Sequence, residues 1–108
     1  MALGAPAAPR VPNWLQAKLD ALQAISFDVT AACSGFVFAL DTAIHYLWAG
    51  VGKTTLVVAS QIMTRVQGWT DRASCILWDD GAGAVVLKAE EGLPQVLENY
   101  VDTDGANG

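Results

Sequence analysis

Apolar residues fall at Phe36, Val37, Leu40, Ala43, Ile44, Leu47 and Trp48, three or four positions apart. That is helical spacing, and the stripe is wide enough to predict a deeply buried helix beginning at Cys33. Asp41, Thr42 and His45 occupy its narrower polar side, and Gly50 and Gly52 stop it. A shorter helix is predicted from Asn13, a suitable N-cap, to near Ala24, with Trp14, Leu15, Leu19 and Leu22 on one face. Residues 25–30 read as a strand. Residues 55–60, with their uninterrupted apolar and β-branched content, read as a strand covered on both faces. Residues 74–78 and 84–89 predict two more strands joined by a turn at 79–83, and a last strand follows Gly92-Leu93-Pro94 at 96–101. Residues 1–12, rich in Ala and Pro, predict an irregular lead-in to one unit spanning 13–108. Strands mixed with helices place the chain in the α/β class.

A chain of 108 residues is one domain at most, with room for a modest core. Its 53% hydrophobic content and mean hydropathy of +0.33 are high for that size, which fits a segment whose apolar surfaces need partners. No apolar run approaches the roughly eighteen residues of a membrane span. The first twelve residues lack a basic start followed by an apolar block, so no secretory signal is read and a cytoplasmic protein is expected. The net charge of −5 argues against nucleic acid, which calls for a basic face. Two cysteines, Cys33 and Cys75, are expected to be free thiols in that compartment.

Cys33 is the residue with the clearest chemistry. It stands after an abrupt turn at the mouth of the long helix, where unpaired N–H groups and the positive end of the dipole favour thiolate over thiol. The same N–H groups can hold the oxyanion of a thioester under attack. Small neighbours, Ala31, Ala32, Ser34 and Gly35, leave room for a substrate chain and for close helix packing. On position alone, a buried structural cysteine is the alternative.

Other candidates fail on geometry. His45, the sole histidine, lies twelve residues beyond Cys33 on the same helix, roughly 18 Å at about 1.5 Å per residue. That excludes a hydrogen bond to the thiol and leaves it a polar-face residue. Gly52-Lys53-Thr54-Thr55 suggests a phosphate loop, but Leu47 stands where the first glycine is required. The order is also reversed, since a helix precedes and a strand follows. No cluster has metal-ligand spacing.

The run Phe27-Asp28-Val29-Thr30-Ala31-Ala32-Cys33-Ser34-Gly35-Phe36 resembles the nucleophile segment of the thiolase-fold condensing enzymes, and among them β-ketoacyl-acyl-carrier-protein synthase III. Trp69-Thr70-Asp71-Arg72 is similar to that family's Thr-Asp-Arg segment, and residues 76–87 are similar to its Phe-Gly-Asp-Gly-Ala-Gly-Ala hairpin. Asp79 replaces a glycine of that hairpin, whereas Asp80, Gly81 and Gly83 match it and are expected to be structural, the glycines permitting positive φ. The likeness runs from about Pro9 to the last residue. It implies an incomplete thiolase-like amino-terminal half-domain, a mixed β-sheet with helices.

The resemblance further implies an acyltransferase of fatty acid biosynthesis. Cys33 would take an acyl group from acyl-coenzyme A as a thioester. A carbanion from decarboxylation of malonyl-acyl-carrier protein would then attack it, giving a 3-oxoacyl product. Coenzyme A thioester is then a substrate, and no cofactor is implied. Acyl-carrier protein is a partner, and a homodimer or higher oligomer is expected. Arg72 would contact the adenine end of coenzyme A, where guanidinium stacking and phosphate pairing both make sense; a surface arginine paired with Asp71 is the alternative. Met63 and Trp78 would line the acyl pocket, Trp78 shortening it relative to the phenylalanine common there; core packing is the alternative. The family's catalytic histidine and asparagine belong to its second half. A polyketide or quinolone condensing relative, or an inactive remnant serving only as a folding or interaction unit, are the competing readings.

Overall fold

The computed structural model describes residues 11–92 and 96–106. Its framework is one helix laid on one hairpin. Helix α2, Gly35–Trp48, packs against strand β1, Thr54–Ile62, which pairs antiparallel with β2, Asp80–Lys88. The register runs from Thr54 opposite Lys88 to Ile62 opposite Asp80, and the amide of Ala89 extends it to the carbonyl of Lys53 at 2.9 Å. Ala43 and Ile44 of α2 and Val57 of β1 are the buried apolar side chains among the described residues. The predicted α/β character is therefore present, with the sheet among the described residues reduced to two strands.

α2 ends where the glycine signal places its end. Gly50 takes φ 72°, and the amides of Gly50 and Val51 bond back to the carbonyls of Leu47 and Tyr46 at 3.1 and 3.0 Å. Those two closures are a Schellman stop. Helix α1, Val11–Lys18, is shorter than expected and starts earlier. Pro12 sits in its first turn, where a missing N–H costs nothing; the rest of the expected lead-in, residues 1–10, lies outside the described residues. The early end has a local cause. Asp20 turns left-handed, φ 53°, and the amides of Asp20 and Ala21 return to Ala17 and Gln16 at 3.2 and 3.0 Å. The Gln16 amide then donates to the carbonyl of Ala24 at 2.7 Å, folding the following segment back along α1.

Three predicted strands are not formed among the described residues. Residues 25–30 are extended but join no ladder among the described residues. Apolar content makes a segment suitable for a sheet, but a strand exists only with a neighbour about 4.8 Å away to take its N–H and C=O groups. This segment instead leans on α2, Phe27 lying 5.9 Å from the ring of Tyr46. Residues 96–101 likewise join no ladder among the described residues, and Asn99 donates its side-chain amide to the carboxylate of Asp41 on α2. Leu93 and Pro94 lie outside the described residues.

Residues 74–78 belong to a series of turns. There the amide of Cys75 bonds to the carbonyl of Asp71, and the amide of Leu77 to that of Ser74, both at 3.0 Å. The expected turn at 79–83 is correspondingly displaced, because Asp80, Gly81 and Gly83 lie inside β2 without positive φ.

β1 is buried on one face only. Val57 is enclosed, while Leu56 and Val58 are 42% and 37% exposed, so the expectation of a strand covered on both sides is corrected. α2 is also less buried than its stripe predicts, with Val37 and Trp48 more than half exposed. A single hairpin covers only one flank of so wide a stripe.

The segment from 63 to 79 that links β1 to β2 is held by side chains. It starts with a single 3₁₀ turn, Met63–Arg65. The carboxylate of Asp80 accepts the Thr64 amide at 2.9 Å through Oδ1 and the Thr64 hydroxyl at 2.7 Å through Oδ2. Gln67 donates to the carbonyl of Cys75 at 2.7 Å, and Asp71 accepts from the Ser74 hydroxyl at 2.6 Å and the Ala73 amide at 3.0 Å. These bonds pull both carboxyl groups below the ordinary aspartate value of 3.8, Asp80 chiefly through the Thr64 amide and Asp71 chiefly through the Ser74 hydroxyl.

The exposed apolar surface sets an expectation for the chain in solution. Its accessible area is 9244 Å², against about 5800 Å² for a folded monomer of this mass. At micromolar concentration the chain should sediment as an associated species, since unpaired strand edges and apolar patches drive association. A cooperative, well-folded monomer is the contrary result. Acid should act on the 63–79 segment first. Both folded carboxyl groups titrate below 3.8, so their contribution is complete above that pH and is lost as pH falls through the lowered values. Amide exchange at Thr64 and Ala73, corrected for intrinsic rates, should accelerate below about pH 4, and pH-independent protection is the contrary result.

Candidate active site

Cys33 lies in a single 3₁₀ turn, Ala32–Ser34, that feeds directly into α2. The turn closes through the amide of Ser34 to the carbonyl of Ala31 at 3.0 Å. Ala32 enters it with φ 45°, a left-handed conformation disfavoured by about 1–2 kcal/mol for a residue with a Cβ. That backbone reversal brings the thiol to the surface. Cys33 is exposed and Cys75 half-buried, and both are free. No side chain caps the first turn of α2, Ser34 included; the amides of Ser34 and Gly35 instead bond to the carbonyls of Ala31 and Ala32 in the preceding 3₁₀ turn, so this end offers chiefly the positive pole of the helix. Gly35 is not demanded by tight packing, since a Cβ there would meet the carbonyl of Val29 at 3.9 Å, an ordinary contact.

Cys33 opens into a groove of about 1050 Å³ whose walls include Phe27, Phe36, Ala59 and Asp80. Gly81 and Gly83 also line it, and nothing lies within 4 Å of where their Cβ atoms would be. Neither close packing nor positive φ therefore calls for glycine at these positions, and the backbone freedom expected from the sequence is not used.

Met63, Arg72 and Trp78 do not line this groove. All three sit on the 63–79 segment, Met63 half-buried in its opening turn, Arg72 exposed in the Asp71 turn and Trp78 46% exposed near its end. Arg72 forms no ion pair with Asp71 among the described residues, because Asp71 is engaged by Ser74 and Ala73. His45 faces away on the polar side of α2, its Nδ1 2.9 Å from the Asp41 carbonyl and 3.5 Å from the Asp41 carboxylate. No group of three or more His, Cys, Asp or Glu side chains is placed to hold a metal, and no helix is long and apolar enough to cross a membrane, among the described residues.

Two features escaped the sequence reading. The reversal at Ala32 has no compositional mark, since alanine is not a turn residue. The Asp80–Thr64 clasp joins residues sixteen apart, and only the hairpin register could have brought them together.

Comparison with known proteins agrees over this region. The chain is 44% identical over 100 residues to the β-ketoacyl-[acyl-carrier-protein] synthase III of Clostridium beijerinckii, covering 93% of this chain and 31% of that protein. It is 49% identical over 92 residues to the synthase III of Gloeobacter violaceus, covering 85% and 28%. Among solved structures, the 3-oxoacyl-[acyl-carrier-protein] synthase III of Aquifex aeolicus superposes with a TM-score of 0.74 at 40% identity, over 79% of this chain and 28% of that one. The Pseudomonas aeruginosa enzyme superposes with a TM-score of 0.74 at 33% identity, over 82% and 27%. The chain thus spans about three-tenths of the length of these relatives. Residues 27–105, from the extended segment before Cys33 to beyond β2, match the family described as 3-Oxoacyl-[acyl-carrier-protein (ACP)] synthase III, and the chain belongs to that family.

Proposed function

We propose that the chain is the nucleophile-bearing part of an acyltransferase that condenses an acyl-coenzyme A with malonyl-acyl-carrier protein in fatty acid biosynthesis. The observation that carries this reading is the exposed Cys33, set by a reversed backbone at the uncapped start of α2 and facing a groove. Residues 13–108 are read as part of a thiolase-like amino-terminal half-domain, working in the cytoplasm as a homodimer or higher oligomer.

The first half-reaction needs a thiolate and a place for the oxyanion. Cys33 Sγ attacks the thioester carbonyl, and the positive end of the α2 dipole favours the developing negative charge. As the tetrahedral intermediate collapses, the bond to the coenzyme A sulfur breaks and that thiolate leaves, taking a proton from solvent. The acyl group stays on Cys33. In the second half-reaction, carbon dioxide leaves the malonyl group and the resulting carbanion attacks the Cys33 thioester, freeing the thiolate. That step calls for a histidine and an asparagine of the family's second half. His45 cannot replace the histidine, since its ring is turned to Asp41.

Arg72, exposed on the 63–79 segment, is read as a contact for the nucleotide end of coenzyme A, with Met63 and Trp78 shaping the space for the acyl chain. Coenzyme A enters as substrate, and acyl-carrier protein as the second partner.

Alkylation at neutral pH should mark Cys33 ahead of Cys75, read by peptide mass spectrometry. Equal labelling, or labelling of Cys75 first, would remove Cys33 from this role. Arg72→Ala should raise the acyl-coenzyme A concentration needed for half-maximal acylation of Cys33 by roughly tenfold, the scale of one charged hydrogen bond at about 1–3 kcal/mol. Acylation by a short pantetheine thioester, which lacks the nucleotide, should shift far less. An equal loss with both thioesters would assign Arg72 a structural role.

A further inference from the structure

Asp80 lines the groove that contains Cys33 and bonds to the 63–79 segment. It opens β2 opposite Ile62, the last residue of β1. Its carboxylate reaches across the hairpin end to Thr64, one oxygen taking the amide at 2.9 Å and the other the hydroxyl at 2.7 Å. Two bonds to one residue fix direction as well as distance, so the turn Met63–Arg65 is oriented by Asp80 and not merely tethered to it. Asp79 supports the arrangement from behind, its Oδ1 accepting the amide of Asp80 at 2.7 Å. Since both Asp80 oxygens already accept hydrogen bonds, the group is poorly placed to act as a proton acceptor for chemistry in the groove.

The rest of the 63–79 segment is organised by its own internal bonds, Gln67 to Cys75 and Asp71 to Ser74 and Ala73. Those bonds shape the segment but do not tie it to the hairpin. Beyond the contact between the adjacent Asp79 and Asp80, the side-chain bonds that do so among the described residues are those of Thr64 to Asp80. Arg72 stands on this segment, and Cys33 and Asp80 both line the groove.

We propose that Asp80 is a positioning residue, holding the 63–79 segment in register with the Cys33 groove so that a coenzyme A thioester can reach both Arg72 and the thiol. The proposal rests on the acyltransferase reading of Cys33 and Arg72. Three variants of the full chain test it: Asp80→Ala, Asp80→Asn and Thr64→Val. The first readout is amide exchange over residues 63–79. The second is acylation of Cys33 by acyl-coenzyme A and by acyl-pantetheine, followed by intact-mass spectrometry.

Asp80→Ala should speed exchange across the segment and raise the half-saturating acyl-coenzyme A concentration by about tenfold, as for a lost charge-assisted bond. The rise should be larger than the fall in maximal rate, and larger than the shift with acyl-pantetheine. Asp80→Asn keeps an acceptor for the Thr64 amide and should recover part of the loss. Thr64→Val removes only the hydroxyl and should give a smaller change in the same direction, which settles the matter if Asp80→Ala does not fold. Unchanged exchange, an equal loss with both thioesters, or an Asn variant no better than Ala would overturn the positioning role. A wild-type chain that neither thioester acylates would overturn the acyltransferase reading itself, and this proposal with it.

Discussion

Helix α2 packs on β1, and Ala43, Ile44 and Val57 on these two elements are the apolar side chains among the described residues that leave water almost completely. Burying a Val or Ile side chain is worth about 1.5–3 kcal/mol, so this contact is small for a chain of this length. The site nevertheless takes its geometry from it. Cys33 stands at the entrance of α2, β1 forms the hairpin with β2, and both elements contribute walls to the groove.

Local backbone geometry then does what packing cannot. Left-handed residues at Asp20, Ala32 and Gly50 each reverse the chain at a helix boundary. At Gly50 the residue type accommodates the reversal without steric cost, and at Asp20 it does so at modest cost. At Ala32 nothing in the residue type helps, and the strain is borne by the structure around it. Such strain persists where the surroundings over-determine a conformation, and it clusters at sites of chemistry. Its position immediately before Cys33 follows that pattern.

What could be read from the residues was set by range. α2 and its stop were legible because periodicity and a glycine signal are local, and the 55–60 strand was legible because its composition is unambiguous. The end of α1 was missed because Asp20 adopts a conformation more often taken by glycine. The segments at 25–30 and 96–101 were misread as strands because apolar content reports suitability for a sheet and not the presence of a neighbour. Residues 74–78 were misread for a different reason: hydrogen bonds from Asp71 and Gln67 close the segment into turns, outweighing its β-branched and aromatic content. At the site, Cys33 stood out through its small neighbours and its helix. The groove, the Ala32 reversal and the Asp80–Thr64 clasp depend on contacts between distant residues, which no local pattern encodes. Arg72, Met63 and Trp78 came only from family likeness, and the fold gathers them on one segment apart from the groove.

The carboxylate of Asp41 serves two groups at once, the amide of Asn99 from fifty-eight residues away and the ring of His45 one turn along α2. Around Asn99 the chain buries little, Leu97 and Tyr100 being 82% and 81% exposed. Residues 96–101 are therefore held by a polar tie where α2 and β1 are held by packing, and such ties open at low free energy. The consequence is a hierarchy of local unfolding. The 96–101 segment is expected to open at lower free energy than the packed contact of α2 with β1, uncovering the face of α2 around Asp41 before the Cys33 groove.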